Sequence, residues 1–195
     1  GSTGEPFGFF RDPMTFGREL ASKAHQYRRV GWREGDRQLT LRGRAILTED
    51  GIEHAPELHE LRCSSYDLTP EAMERYYQVA QGYRPQWIRC YPSSGYAFAC
   101  WLAEKGYTLP SVKGVLCASE NLPLWQKSLM ARAFGCRIFD HYGHYECAVL
   151  AGYCEAADTY HVLPQYGYAE LLDEAGRLVT TPGQVGEIVA TSFIM

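Results

Sequence analysis

The chain has 195 residues, 46% of them hydrophobic and 22% charged, and carries a formal net charge of −4. That length supports one good hydrophobic core, or one and a fraction, and the mixed, mildly acidic charge excludes a nucleic-acid electrostatic footprint. No apolar run approaches the roughly 20 residues that span a bilayer, and no signal peptide is visible, so the expectation is a soluble, cytoplasmic protein.

The opening Gly1-Ser2-Thr3-Gly4-Glu5-Pro6 is small, hydroxylated and glycine-rich. Such a loop wraps phosphates with backbone N–H groups and hydroxyls; a glycine-serine start is also what an expression tag leaves behind. Thr15 to Val30 has the spacing of a helix, with Phe16, Leu20, Ala24 and Tyr27 on one apolar face and Gly31 ending it. After the Glu34-Gly35-Asp36 turn, Gln38 to Leu41 reads as a short strand, Thr48 to Gly51 as a turn in an otherwise loop-like stretch, and Leu61 to Ser65 as another strand. Thr69-Pro70-Glu71 is a strong helix start, with a hydroxyl cap, proline in the first position and an acid in the first turn. That helix is expected to run to Gln81 and close at Gly82.

From Trp87 the chain beats regularly: strand to Tyr91, helix over Ser94 to Lys105, strand over Val112 to Ala118, helix over Leu122 to Phe134, strand over Cys136 to Phe139. Strands and helices alternating at this pace define βαβ units and a parallel sheet. After Glu146 the pattern changes to strands at Tyr160 to Leu163, Tyr166 to Leu172 and Gly186 to Ser192, with turns at Asp173-Glu174-Ala175-Gly176 and Pro182-Gly183. The expected fold class is therefore α/β: a parallel βαβ sheet followed by the start of an antiparallel β subdomain. The division expected is residues 1–150, partial and binding nucleotide and substrate, and 151–195, a β-rich start. A start at Gly1 within a glycine-rich stretch and an end at Ile194-Met195 just after a strand suggest a fragment of something longer.

Three polar clusters follow the parallel strands: Tyr91-Pro92-Ser93-Ser94, Ser119-Glu120-Asn121, and Asp140-His141-Tyr142-Gly143-His144-Tyr145-Glu146. In an open α/β sheet ligands collect at the carboxyl edge of the strands, so the clusters share one rim and can line one cleft. Tyr142 offers a ring to a base, Gly143 lets backbone approach a ligand, and Glu146 suits a hard cation such as Mg²⁺. Plainer readings compete: Ser93, Glu120 and Asn121 stand where helix caps stand, and Asp140 to Glu146 is composed like an ordinary polar turn. His141 and His144 suit metal binding, acid–base work or packing alike. The seven cysteines are odd in number and lack framework spacing, as reduced thiols do. Cys154 and His161 invite a zinc reading, but two ligands do not complete a tetrahedral site. No G-x-S-x-G elbow supports a serine triad. Tyr66, Tyr91, Tyr96 and Trp101 suit an aromatic-friendly pocket or a core equally.

Taken together and in order, these segments resemble the adenylate-forming enzymes, specifically the phenylacetate–CoA ligase family and its capsular-polysaccharide-biosynthesis branch. Gly1 to Pro6 looks like the end of that family's phosphate loop, Ser-Gly-Ser/Thr-Thr-Gly-x-Pro, which favours a genuine loop over a tag. Arg62-Cys63-Ser64-Ser65-Tyr66-Asp67-Leu68 and Tyr91-Pro92-Ser93-Ser94 look like segments lining its carboxylate pocket. Ser119-Glu120 is similar to its small-residue-Glu adenine motif, Asp140 to Glu146 to its Asp-x-Tyr-Gly-x-x-Glu signature, and Gly186 to Ser192 to its Gly-Glu-Leu/Ile-Val-x-Thr-Ser strand.

The resemblance implies an ATP-dependent carboxylate–CoA ligase that forms an acyl adenylate and passes the acyl group to a thiol, with ATP, Mg²⁺ and coenzyme A as cofactors and a small carboxylic acid as partner. It implies that Gly1, Ser2, Thr3 and Gly4 cradle the phosphates, that Thr3 and Glu146 are catalytic and that Glu146 ligates Mg²⁺. It further implies that Ser119, Glu120, Asp140, His141, Tyr142 and Gly143 meet the adenine, and that Ser64, Ser65, Tyr91, Pro92 and Ser93 meet the acid. Some members hold zinc with a Cys and a His where Cys154 and His161 stand, plus a later Cys-x-Cys, so this chain would carry the first half of such a site. The sequence departs from the pattern at Phe7, where a lysine is usual, and at Tyr145, where a hydroxyl residue usually precedes the glutamate. The family's ribose-gripping Asp and the mobile domain with its catalytic lysine would lie beyond Met195. The alternative is a catalytically inactive nucleotide-binding or scaffolding relative in surface-polysaccharide biosynthesis.

Overall fold

A computed structural model describes residues 8–43, 46–154, 156–157 and 159–195. The expected phosphate loop, with Gly1, Ser2, Thr3 and Gly4, lies outside the described residues. The chain divides into two compact units, Tyr27–His141 and a second made of the flanking residues up to Gln26 with Tyr142–Met195.

Within Tyr27–His141, strands β1 (Gln38–Arg42), β2 (Ile52–Ala55), β3 (Glu60–Ser64), β4 (Trp87–Cys90), β5 (Gly114–Ala118) and β6 (Arg137–Gly143, whose last two residues fall in the other unit) line up as β2-β3-β1-β4-β5-β6. β3, β1, β4, β5 and β6 are parallel, and β2 pairs antiparallel with β3 at the edge. Helices α2 (Pro70–Tyr83), α3 (Pro92–Lys105) and α4 (Leu124–Phe134) supply the crossovers. They cover the sheet face that carries Leu39, Leu41, Ile88, Val115 and Ile138, a core closed by Tyr76, Phe98, Leu102 and Met130. The opposite face carries a smaller cluster of Tyr27, Trp87, Leu116 and Phe139. β5 is buried at every position, Gly-Val-Leu-Cys-Ala, as a strand covered on both faces must be.

The helix signals act as the residues suggest. Thr69 Oγ1 accepts the Ala72 N–H at 3.2 Å, with Pro70 in the first turn. The helix does not close at Gly82, however. It runs to Tyr83, whose ring packs on the core and against His54, and the left-handed cap is Arg84, with φ 55° and its N–H on Ala80 O. α3 starts at Pro92, two residues before the expected Ser94, and approaches β4 closely at Gly95, where a Cβ would stand 2.5 Å from Cys90 Sγ.

Strand β6 also differs from expectation. It continues through Asp140, His141 and Tyr142 to Gly143, where the composition suggests a turn. Cys117 and Ala118 of β5 pair with Asp140 and His141, and a ladder partner outweighs the weak strand preference of an Asp. β2 was not expected; only its end residues, Ile52 and Ala55, are buried, too short a pattern to read.

The second unit holds β7 (Leu150–Cys154) and β8 (Thr159–Val162) as an antiparallel pair, and β9 (Gly167–Leu172) and β10 (Glu187–Ser192) as another. Cys147, Leu150, Tyr166 and Ile194 form its buried cluster. The Asp173 to Gly176 turn is present, held by the Gly176 N–H on Asp173 O at 2.9 Å, and leads to a Leu172–Leu178 bridge. Helix α1 (Thr15–Arg29) buries Tyr27 of the expected apolar face, but in its first half it buries a polar edge instead. Phe16 and Leu20 are exposed, whereas Thr15 and Glu19 are buried, because Thr15 Oγ1 donates to Ile194 O and Glu19 accepts the Tyr166 hydroxyl and pairs with Lys23.

Among the described residues no helix is long and apolar enough to cross a membrane.

Candidate functional site

The carboxyl ends of β1, β3, β4 and β5 meet at one rim of Tyr27–His141. Arg42 ends β1 in register with Ser64, which ends β3. β4 hands over at Cys90 to Tyr91, whose N–H reaches Leu41 O at 3.3 Å and whose carbonyl accepts Gly95 N. Ser94 is fully buried and its hydroxyl donates to Leu41 O at 2.8 Å, which fastens the start of α3 to the end of β1.

The two polar clusters beside these strands are bonded to each other, and neither supplies the N-cap of the helix that follows it; Glu120 instead satisfies a first-turn N–H of α3. Ser93 donates from its N–H to Glu120 Oε2 at 2.8 Å and from its hydroxyl to Glu120 Oε1 at 2.9 Å. The residues before the helices are Tyr91 for α3 and Pro123 for α4, neither with a side-chain cap. Ser119 holds φ 75°, a left-handed conformation costly for a residue with a Cβ, and its hydroxyl accepts Arg42 Nη2 at 3.0 Å. The Arg42 guanidinium lies over the Tyr91 ring, 5.1 Å from its centroid. Pro92 is buried, Ser64 is buried and accepts the Tyr66 N–H, and Ser65 is half-buried beside an exposed Tyr66. Of the other aromatic candidates, Trp101 belongs to the core, stacked on Phe98, and Tyr96 packs edge-on against Trp125.

On β6 the side chains are already engaged. Asp140 pairs with Lys127 of α4 at 3.3 Å, and His141 packs edge-on against Tyr27 at 5.7 Å. In the second unit, Tyr142 is exposed and its hydroxyl shares a 2.8 Å hydrogen bond with His144 Nε2. A Cβ at Gly143 would stand 3.3 Å from Val149 O. Tyr145 is capped by the Arg11 guanidinium, 4.2 Å from its ring centroid, and its carbonyl accepts from the same group. Glu146 follows in a turn, half-buried, and makes no hydrogen bond or ion pair with any described residue. Next to it Cys147 holds φ 55°, with its carbonyl fixed by the Ser192 hydroxyl at 2.7 Å, and burial pushes its thiol pKa up.

A free, half-buried carboxylate fits a hard cation, and one such ligand suits Mg²⁺, which keeps most of its waters. The zinc half-site is less complete. Cys154 faces Thr159 and Gly152 faces His161, so Cys154 and His161 are diagonal neighbours on one face of the β7–β8 pair. Among the described residues no group of three or more His, Cys, Asp or Glu is arranged to hold a metal. Two donors fall short of the four a structural zinc requires.

Sequence reading missed Arg42 and the Ser93–Glu120 bridge. The one available signal for the first was a charged residue at the end of Gln-Leu-Thr-Leu-Arg followed directly by a glycine.

A mostly parallel sheet with helical crossovers, a polar carboxyl rim and an appended antiparallel sheet define an α/β protein with the fold of the adenylate-forming enzymes. The solved structures it resembles include 2-hydroxyisobutyryl-CoA ligase in complex with 2-HIB-AMP and CoA, at TM-score 0.71 and 18% identity over 97% of this chain and 42% of that one. The anthranilate CoA ligase AuaEII, in complex with anthranoyl-AMP, matches at TM-score 0.60 and 18% identity over 90% of this chain and 35% of that one. IdnL1 matches at TM-score 0.58 and 20% identity, over 97% and 43%. The chain thus spans about two-fifths of the length of the structures it matches. Family models and curated proteins give no match.

Proposed function

We propose that this chain is part of an ATP-dependent carboxylate–CoA ligase of the phenylacetate–CoA ligase family, in its capsular-polysaccharide-biosynthesis branch. Residues 1–150 supply nucleotide and acid binding, and 151–195 begin a β-rich subdomain. A carboxylate oxygen of the acid attacks the α-phosphorus of ATP, the bond to pyrophosphate breaks, and an acyl adenylate results. The sulfur of coenzyme A then takes the acyl group and AMP leaves. Displacement at phosphorus is catalysed mainly by positioning and by neutralising charge.

In this reading Gly1, Ser2, Thr3 and Gly4 hold the phosphates, and Thr3 is catalytic. Tyr142 stacks on adenine with its hydroxyl steadied by His144, and Gly143 admits the base closely. Ser119, Glu120, Asp140 and His141 line the base's edge. Ser64, Ser65, Tyr91, Pro92 and Ser93 receive the acid. Glu146 would hold Mg²⁺, which supplies charge neutralisation on the phosphates. Cys154 and His161 would be half of a zinc site completed elsewhere in the full-length protein.

The observation that carries the reading is the Glu146 carboxylate, without a partner among the described residues, four residues after Tyr142 and held in its turn by the strained, hydrogen-bonded Cys147. Isothermal titration of the full-length protein with ATP and Mg²⁺ tests it. Binding is expected to be saturable and Mg²⁺-dependent, and to weaken about tenfold or more in Glu146→Ala and in Tyr142→Ala, since loss of one base–aromatic stack costs about 1–3 kcal/mol. Unchanged affinity in both variants contradicts these roles.

One observation favours the alternative, an inactive nucleotide-binding or scaffolding relative. The residue before Glu146 is an aromatic clamped by Arg11, and has no side-chain hydroxyl of the serine or threonine kind to offer a phosphate. ATP binding without pyrophosphate release, across aromatic and aliphatic acids, is the outcome expected of that relative.

A further inference from the structure

Arg42 is the one cation at which a described strand of this rim ends, and no described carboxylate answers its charge. β3, β4 and β5 end at Ser64, Cys90 and Ala118, and the segments that follow are neutral or acidic. Arg42 is partly exposed; its guanidinium lies over the Tyr91 ring at 5.1 Å and, among the described residues, donates one hydrogen bond, itself exposed, to Ser119 Oγ. It forms no ion pair with any described carboxylate. Glu120, the nearest acid along the chain to Ser119, is taken up by both the N–H and the hydroxyl of Ser93.

An arginine has five N–H donors in a planar fork, and the geometry of that fork matches an oxyanion. A guanidinium held by one hydrogen bond and one ring face keeps most of its donors open to such a ligand. The surroundings are cramped in the way a ligand-contacting rim is. A Cβ on Gly43 would stand 2.9 Å from the Tyr66 hydroxyl and 3.1 Å from the Tyr91 ring. Ser119, which meets the guanidinium, keeps a left-handed φ of 75°, and strained residues of this kind persist at ligand clamps.

We infer that Arg42 is an oxyanion anchor at this rim, binding a carboxylate or a phosphate between the Tyr91 segment and the Ser119 segment. The inference rests on the ligase reading for what the oxyanion is: Tyr91 belongs to the acid's side and Ser119 to the nucleotide's, so Arg42 stands where the two reacting groups meet. There it neutralises charge as the carboxylate oxygen–phosphorus bond forms and the bond to pyrophosphate breaks, a step that moves no proton.

Arginine Nε–Hε resonances of the full-length protein, with Arg42 assigned by its loss in Arg42→Met, provide the test. Sodium benzoate, inorganic phosphate and neutral benzamide are titrated separately. A saturable shift of Arg42 with benzoate identifies the acid as the source, one with phosphate identifies the nucleotide, and either supports the anchor. No saturable shift with either anion, or an equal shift with benzamide, overturns it. Arg42→Lys keeps the charge without the fork, and is expected to weaken binding of the effective anion about tenfold with no change in melting temperature. Mg²⁺–ATP titration observed at Tyr142 runs alongside. Failure there with the Arg42 shift intact removes the ligase reading and leaves the anchor; the reverse result removes the anchor alone.

Discussion

Glu60 is the hub of a charge network on the sheet. It accepts hydrogen bonds from Thr40 of β1 and Arg62 of β3, and faces Arg89 of β4 at 3.8 Å, while Arg62 also reaches Glu53 of β2. Burial alone would raise the Glu60 pKa, but the Thr40 and Arg62 hydrogen bonds and the charges of Arg89 and Arg62 outweigh it and the net shift is downward. A lowered folded pKa means that the unfolded chain binds the proton more readily. The network's stabilisation is therefore complete above the ordinary carboxylate range and is lost as pH falls through the lower folded value. Glu60→Gln should flatten the acid limb of a denaturant-stability profile taken below about pH 4.5; an unchanged slope there contradicts this account. Cys136 makes a second test at the residue scale. Burial pushes its pKa to about 11, so at pH 8 about one thiol in a thousand is thiolate. Labelling by a thiol reagent at pH 8 should be about a hundredfold slower at Cys136 in the native protein than after unfolding, and equal rates would refute it. Single residues were the hardest scale to read from sequence. Phe16 and Leu20 have helix spacing, yet the first half of α1 buries Thr15 and Glu19, because a carbonyl partner 179 residues away and a phenol partner 147 residues away decide which edge is satisfied.

Helix ends and strand cores were legible because their signals are local. Thr69 and Pro70 begin α2 as their chemistry dictates, and Gly106 and Gly135 close α3 and α4 in left-handed conformations. Thr69→Ala should cost about 1 kcal/mol in chemical denaturation. Arg84→Gly should gain about 1 kcal/mol, since Arg84 holds the left-handed cap position that Gly occupies without a Cβ penalty. Loss of stability in that variant would mean the Arg84 side chain matters more than its backbone. Gly95→Ala puts a methyl 2.5 Å from Cys90 Sγ and 2.8 Å from Met130 Cε, and should destabilise by about 1–3 kcal/mol. Strand β6 was legible only to Phe139. Asp, His, Tyr and Gly read as a turn in isolation, but pairing with Cys117 and Ala118 supplies hydrogen bonds that composition does not reveal. β7 was missed altogether, since Leu-Ala-Gly-Tyr-Cys shows no alternation when three of its five positions are buried in succession.

At the scale of the molecule, alternating strands and helices made the parallel sheet readable, because every buried parallel strand must be an apolar run bracketed by a crossover. The candidate site was readable in its pieces and not in its wiring. Tyr91, Ser119 and Asp140 each stand out along the chain, whereas the Arg42–Ser119 contact joins residues 77 apart and exists only through the β1-β4-β5 order. Likeness in fold at 18–20% identity to the solved structures compared above leaves the chemistry to be tested directly. The decisive measurement is acid-dependent exchange of radiolabelled pyrophosphate into ATP by the full-length protein, over a panel of aromatic and aliphatic carboxylic acids. The account predicts Mg²⁺-dependent exchange with at least one acid, lost in Glu146→Ala; exchange that survives in that variant, or none with any acid, would contradict it.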